Sequence, residues 1–385
     1  MKKSLLFVVD ERMMGGVSIL LSNILNNINI SKYEIDVLVL HDHGDYLDDL
    51  PKNVNVFYGG SFFKAVDYTI KEVLQSKKIS LLLSKIRLVF LMKTKLIGRR
   101  IIRERKKILK KKYDVEIAFK DGFAAIFTAY GDSIKKYHWL HADYSEFDST
   151  SKYVPLFRDV FPKFDKIIGI SEGVINEFKK KYPVDKTEVI YNIIEPNKII
   201  KLGDEENVSF DKKKINLISV GRLHPVKGYD RLIEVVHRLD EEKKMNNVIL
   251  RIVGDGPDYT LLQNKIKEYK LENKVFLMGR KRNPYPYIKA SDCFIMCSRC
   301  EAFGLVILES MILKTPILSL NILSIDEIME KDYGMVYENS LDGLYNGLLE
   351  VIQNPQKLLK YRKALMQYHY DIKKITKQIE NLFDE

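Results

Sequence analysis

The sequence predicts an α/β protein built from two doubly wound, Rossmann-like domains, and three observations carry the prediction. Short apolar runs that read as buried strands alternate with segments of helical period in both halves of the chain. The length of 385 residues suffices for two units that each bury a core. A polar stretch, Pro196 to Lys214, has the charge and turn content of a linker. The first expected domain is therefore 1–195, and the second begins at residue 196.

The N-terminal elements follow in order. Leu5 to Val9 is a short apolar strand, followed by a loop that holds Gly15 and Gly16 and by a helix from Ser18 to Ile28. Paired glycines let a backbone come close to a phosphate, although a plain structural turn uses them equally. Further on, Tyr137 to Tyr144 gathers His138, His141, Asp143 and the only tryptophan, Trp139. An isolated histidine is usually a satisfied structural residue, but this company suggests a hydrogen-bonding group in a site. Two more strand ends carry polar residues, Ser171 after Lys166–Ile170 and Asn192 after Val189–Tyr191.

The C-terminal half is richer in chemistry. Leu217 to Val220 reads as a strand that ends in the loop Gly221 to Gly228, and a helix spans Tyr229 to Leu239. Arg222 and Lys227 sit at the mouth of that loop, where they could clamp a diphosphate, arginine by its planar fork and lysine as a point charge. Val248 to Val253 is a further strand, closed by the turn Gly254-Asp255-Gly256-Pro257. Val275 to Gly279 is another, closed by the basic loop that starts at Arg280. Ala290 to Ser298 then reads as a buried strand, and Leu305 to Leu313 as a helix.

Between these last two elements lies Glu301, on the strand-to-helix loop. A helix that starts near Gly304 leaves its first N–H groups unpaired, and an anionic diphosphate could accept from them. Glu309 falls just over one turn into the helix. Ionised carboxylates accept well from sugar hydroxyls, so one could face a hexose and the other a ribose. Two acids at this spacing also occur simply as solvated charges.

Together these segments resemble retaining glycosyltransferases of family four, which adopt the GT-B fold. The resemblance rests on Gly221-Arg222-Leu223 with Lys227-Gly228, Val253 to Pro257, Val275-x-Leu277-x-Gly279, and Glu301-x-Phe303-Gly304-Leu305-Val306 with Glu309-Ser310-Met311. Leu277 stands where that family more often has Phe. It is strong over residues 215 to 330 and looser before them, where Tyr137 to Asp143 is similar to the family's aromatic-Leu-His-x-Asp segment.

It implies two Rossmann-like domains facing a central cleft, with the second domain at 196–365 and a final helix, 366–385, crossing back to the first. Tyr368, Tyr370, Ile375, Ile379 and Leu382 would form the packing face of that helix. The implied catalytic residues are Glu301, Arg222, Lys227 and His141. The implied donor-binding residues are Gly15, Gly16, Ser171, Asn192, Gly221, Arg280, Phe303, Gly304, Leu305 and Glu309. The expected substrates are a nucleotide-sugar donor, with UDP favoured on family grounds, and a glycan or lipid-linked acceptor. The anomeric configuration would be retained. A GT-B sugar-nucleotide epimerase is the alternative within enzymes. No Asp-x-Asp pair occurs, so no metal or other cofactor is expected. The family often has a glycine-bearing loop after the second glutamate, which Pro316 to Ile328 lacks, so the donor is the least determined point.

Composition adds a partner. Sixty-three Lys and Arg face 52 Asp and Glu, and Lys85 to Lys112 concentrates the excess, with Glu104 as its only acid. Aliphatic residues interleave with these cations, so the segment suggests a cationic amphipathic helix on an anionic membrane surface through Arg99, Arg100, Arg103, Lys106, Lys107 and Lys110. A solvated basic face is the plainer reading, and a nucleic-acid-binding module is a further one, although no recognisable reader motif accompanies it. The three cysteines, Cys293, Cys297 and Cys300, are too few for a disulfide framework and too buried in prospect for zinc. With free thiols and no export signal, the expected location is cytoplasmic and peripheral on the membrane.

Overall fold

The computed structural model describes residues 2–10, 16–41, 50–68, 70–145 and 153–385. They divide into two units, Met1–Ile194 with Ile372–Glu385, and Glu195–Asp371.

The first unit is built on a seven-stranded sheet. Its strands are β1 (Lys3–Val9), β2 (Tyr33–Val39), β3 (Asn55–Tyr58), β4 (Val115–Ala118), β5 (Lys135–Leu140), β6 (Lys166–Gly169) and β7 (Thr187–Val189). They pair in parallel in the order β3-β2-β1-β4-β5-β6-β7. Leu5 lies opposite Ile35 on one side and Val115 on the other. The run Leu5–Val9 is buried throughout, which is why it is apolar rather than alternating: a central parallel strand is covered on both faces.

Its helices are α1 (Gly16–Asn27), α2 (Ser61–Asp67), α3 (Ile70–Gln75), α4 (Ile79–Lys93), α5 (Ile97–Ile108), α6 (Phe123–Ala129), α7 (Val154–Val160) and α8 (Glu172–Lys181). The basic segment therefore forms two helices rather than one. The break falls at Thr94–Leu96, where Lys95 takes a left-handed φ of 56°.

The second unit has a six-stranded parallel sheet, ordered β10-β9-β8-β11-β12-β13. Its strands are β8 (Ile215–Val220), β9 (Val248–Val253), β10 (Val275–Leu277), β11 (Cys293–Met296), β12 (Ile317–Leu320) and β13 (Gly334–Tyr337). Its helices are α9 (Pro196–Gly203), α10 (Tyr229–Glu241), α11 (Tyr259–Glu268), α12 (Tyr285–Ala290), α13 (Leu305–Ile312), α14 (Ile325–Ile328), α15 (Leu341–Gln353) and α16 (Gln356–Leu365). The core packs Leu232, Val236 and Leu239 of α10 with Leu250 and Ile252 of β9 and Leu344 and Leu348 of α15.

Three expectations change. The stretch read as a linker opens with the helix α9, which starts with Pro196 and buries Ile199 and Gly203; proline suits a first helical turn, where its missing N–H has no partner to lose. The first boundary falls at Ile194/Glu195 and the second at Asp371/Ile372 rather than after 365. The terminal helical reading is interrupted over 366–371, between α16 and α17 (Ile372–Asp384). There the chain is held to the second unit: the Tyr368 ring stands edge-on to Tyr333 at 5.3 Å, and its carbonyl accepts from Lys314 Nζ at 3.0 Å. Tyr368 and Tyr370, which precede α17, thus do not belong to the packing face of the final helix.

That helix, α17, does pack on the first unit. Ile375, Ile379, Leu382 and Phe383 are buried. Phe383 meets Phe7 and Tyr33 edge-to-face at 5.8 and 6.0 Å. Polar ties frame the contact: Tyr33 donates to Asp384 at 2.9 Å, the Asn29 amide to Glu380 at 2.7 Å, and Lys166 to Glu385 at 2.8 Å.

Candidate active site

In the second unit the chain leaves β8 toward β9 on one side and later returns to β11 on the other, so strand order reverses between β8 and β11. At such a point the loops leaving the carboxyl ends part and make room for a ligand. The two loops here are Gly221–Gly228 and Cys297–Gly304, the segments that carry the predicted residues.

Backbone contact fixes these loops against each other. Gly228 has a φ of 71°, and a Cβ there would stand 2.2 Å from the Cys297 carbonyl oxygen, so a side chain is excluded twice over. Arg231, at the start of α10, donates from Nε and Nη2 to the same carbonyl at 3.1 and 2.7 Å. Arg299 donates its amide to Val226 O at 2.8 Å and makes a bidentate pair with Asp230 at 2.7 Å on both arms. Glycines again allow the neighbouring turn to close up. A Cβ on Gly254 would meet Gly221 O at 1.8 Å, and one on Gly256 would meet Leu223 O at 2.3 Å.

On this frame Lys227 Nζ donates to Glu301 Oε2. The Ser298 hydroxyl, buried at the end of β11, also approaches Oε2 at 3.4 Å. Arg222 is exposed on the Lys227 loop, and Arg280 is exposed on the loop after β10. Gly221 begins the first loop, its amide donating to Val253 O at 3.0 Å.

Gly304 takes a left-handed conformation, φ 78° and ψ 54°, and turns the chain into α13 at Leu305, with Phe303 buried behind it. A helix so begun directs its first amides outward beside Glu301. One turn in, Glu309 accepts from the Tyr285 hydroxyl of α12 at 3.2 Å. Burial of its carboxyl pushes the pKa from 4.5 up to about 7, and the Tyr285 bond offsets this only in part.

The remaining predicted residues lie in the first unit. Gly15 falls outside the described residues, and Gly16 opens α1. Ser171 is buried and caps α8, its hydroxyl accepting from the Val174 amide at 3.1 Å. Asn192 is buried beyond β7. His141 follows β5, its two ring nitrogens buried with no hydrogen bond among the described residues. Burial depresses its pKa from 6.5 to about 4, against the upward pull of Asp121.

Asp121 is a residue the sequence reading missed. Its Oδ2 accepts the amides of His141 and Ala142 at 2.7 and 2.9 Å, its Oδ1 accepts the Tyr144 hydroxyl at 2.6 Å, and the His138 ring lies 3.4 Å away. It thus sets the path of the loop that carries His141. Ser298 and Tyr285 were missed as well. The only available signal was polar residues immediately after strands or at helix starts, a pattern that many turns share.

Comparison with known proteins places this arrangement. Residues 203–371 match the family described as Glycosyl transferases group 1. An uncharacterized glycosyltransferase of Haemophilus influenzae is 30% identical over 222 residues, 56% of this chain and 60% of that protein. An N-acetylgalactosaminyltransferase of Campylobacter jejuni, named as acting on N-acetylgalactosamine-N,N'-diacetylbacillosaminyl-diphospho-undecaprenol, is 33% identical over 154 residues, 40% of each chain. The matches thus span about half the length of these curated relatives. Among solved structures, Anabaena Alr3699/HepE in complex with UDP superposes with a TM-score of 0.72 at 20% identity, covering 100% of both chains. Sucrose-phosphate synthase of Thermosynechococcus elongatus gives 0.73 at 14% identity, covering 100% of this chain and 98% of that one. The fold is accordingly GT-B, two Rossmann-like parallel sheets in one chain. Residues 203–371 are thus similar to glycosyl transferases group 1.

Proposed function

We propose that the protein transfers a sugar from a nucleotide diphosphate sugar, UDP-linked, to a glycan or lipid-linked acceptor in the synthesis of a cell-surface glycan, with retention of anomeric configuration and no metal. The observation that carries this reading is the meeting of Lys227 with Glu301 beside the α13 start, at the strand-order reversal of a parallel sheet.

The chemistry follows from these positions. Arg222, Lys227 and the first amides of α13 offset the charge that grows on the departing diphosphate, which lowers the barrier more than it aids ground-state binding. Glu301, its Oε2 engaged by Lys227, has a second oxygen to accept a hexose hydroxyl and so orients the sugar. Glu309 accepts from the ribose, and Gly221 and Arg280 belong to the same donor side. His141 lines the sugar pocket, and Gly15, Gly16, Ser171 and Asn192 serve donor binding. The leaving phosphate takes the acceptor's proton as the acceptor attacks from the same face, and the cations take the charge-neutralising part that a metal would otherwise play. Relatives support the substrate classes: one is named for a polyprenyl-diphosphate-linked acceptor, another as a Staphylococcus aureus poly(ribitol-phosphate) alpha-N-acetylglucosaminyltransferase, and HepE is bound to UDP.

The test is a panel of sugar nucleotides, screened by calorimetry for binding and by nucleotide release with and without acceptor extracts, each run with chelator present. Release of UDP only when acceptor is added supports transfer. Interconversion of the donor without release would show an epimerase, and absence of any sugar-nucleotide binding would overturn the reading.

A further inference from the structure

The face made by α3 and α4 leaves large apolar side chains in solvent. On α4, Ile79, Leu83, Ile86 and Phe90 are 74, 62, 58 and 58% exposed. Their spacing of four, three and four residues puts them in one stripe along the helix. Ile70 and Leu74 of α3 are equally bare. Beside the stripe opens an apolar recess of about 480 Å³, lined by Ile70, Lys85, Leu88, Val89, Met92 and Leu156 among others. Two lysines line it: Lys93 is exposed, and the Lys85 ammonium donates to the Ala65, Val66 and Tyr68 carbonyls at the end of α2.

Cations lie on the same helix, α4, and on and just after the next, α5. Lys78, Arg87, Lys93, Arg99, Lys106 and Lys110 are exposed and make no ion pair among the described residues. The sole acid of the segment, Glu104, is taken up by Arg100 at 2.7 Å and Lys107 at 3.0 Å. Arg105 is turned inward onto Glu116. The surface cations expected from sequence are therefore reduced to Arg99, Arg103, Lys106 and Lys110. Arg100, stacked over Phe62 at 5.0 Å, is mostly covered, and Lys107 is exposed but paired. No helix among the described residues is long and apolar enough to cross a membrane.

We infer that this face lies on an anionic lipid bilayer. Ile79, Leu83, Ile86 and Phe90 enter the boundary of the acyl region, the flanking lysines and arginines reach the headgroup phosphates, and the recess admits one alkyl chain. An apolar stripe bordered by unneutralised cations is complementary to such a surface on both counts, apolar area and sign of charge. The inference stands apart from sugar transfer, because binding is read without any sugar nucleotide.

The experiment is flotation of the full chain with vesicles of phosphatidylcholine alone and of phosphatidylcholine mixed with phosphatidylglycerol. The wild type should float with the mixed vesicles, less so as salt rises, and not with phosphatidylcholine alone. The double variant Leu83→Asp/Phe90→Asp, at exposed positions, should lose tenfold or more of this binding. Lys106→Ala/Lys110→Ala should lose about fivefold per cation removed. In Phe90→Trp, the added emission should be quenched by lipids brominated on their acyl chains, while native Trp139 is buried and supplies an unquenched background, measured on the wild type. Wild type that stays in solution, aspartate variants that float equally well, or an unquenched Phe90→Trp would each overturn the inference. So would a wild-type dimer, seen by sedimentation, that the aspartate variants dissociate while no flotation occurs; the stripe would then be covered by a second copy of the chain.

Discussion

Replacing Glu309 by glutamine should make the protein more stable above neutral pH and leave it unchanged in acid. The cause is the carboxyl's burial, which lifts its pKa from 4.5 to about 7. Below pH 4.5 the folded and unfolded chains both carry the proton, and the group contributes nothing. Between 4.5 and about 7 the unfolded chain releases the proton while the folded one keeps it, so stability falls as pH rises. At about 1.4 kcal/mol per pH unit this interval is worth about 3 kcal/mol, and about 2 to 3 once the solvent still touching Glu309 is allowed for. Glutamine keeps an oxygen for the Tyr285 hydroxyl but cannot ionise. The assay is urea unfolding followed by circular dichroism on both sides of this interval. The difference between variant and wild type should be near zero at the acid end and reach its full value above pH 7. Parallel stabilities at every pH would refute the argument, because they would mean the folded chain does not hold this proton.

Further outcomes are expected. Lys227→Ala or Glu301→Ala should lower turnover by on the order of a hundredfold or more, with an unchanged circular dichroism spectrum, as for loss of an electrostatic group acting in the transition state; wild-type turnover from the folded double variant would remove both from the site. If ribose hydroxyls are accepted by ionised Glu309, donor binding below pH 7 should release a proton, detected by calorimetry in two buffers of different ionisation enthalpy. His141 has its pKa depressed from 6.5 to about 4, so the stability it confers is complete above 6.5 and is lost as pH falls toward 4. His141→Phe should abolish that acid-side loss, read from the urea dependence of Trp139 emission. Phe383→Ala should cost about 3 to 5 kcal/mol in the same assay by emptying the contact with Phe7 and Tyr33.

What could be read from the sequence was what local pattern encodes. Parallel strands covered on both faces must be apolar runs, so Leu5–Val9, Val248–Val253 and Leu217–Val220 were recognisable without partners. Lys227 and Glu301 were legible because each follows such a strand, and loops that leave the carboxyl edge of adjacent strands converge. Long-range partnership left no such trace. Lys85 looks like any surface lysine until the end of α2 supplies three carbonyls. Arg105 is basic in composition yet buried on Glu116. Asp121 organises the His141 loop from a turn of unremarkable sequence. The break at 366–371 was hidden because Tyr368 and Tyr370 are not helix breakers. It is the Tyr333 and Lys314 contacts of the second unit that draw the chain off its helical path.

The return of α17 to the first unit bears on biogenesis. A ribosome releases the chain from its N-terminal end, so the strands of the earlier lobe emerge first, while the segment that seals Phe7 and Tyr33 is made after the later lobe. The later lobe, continuous in the chain, can be finished before the earlier one has all its parts. During that interval the apolar surface at Phe7 and Tyr33 waits for Phe383.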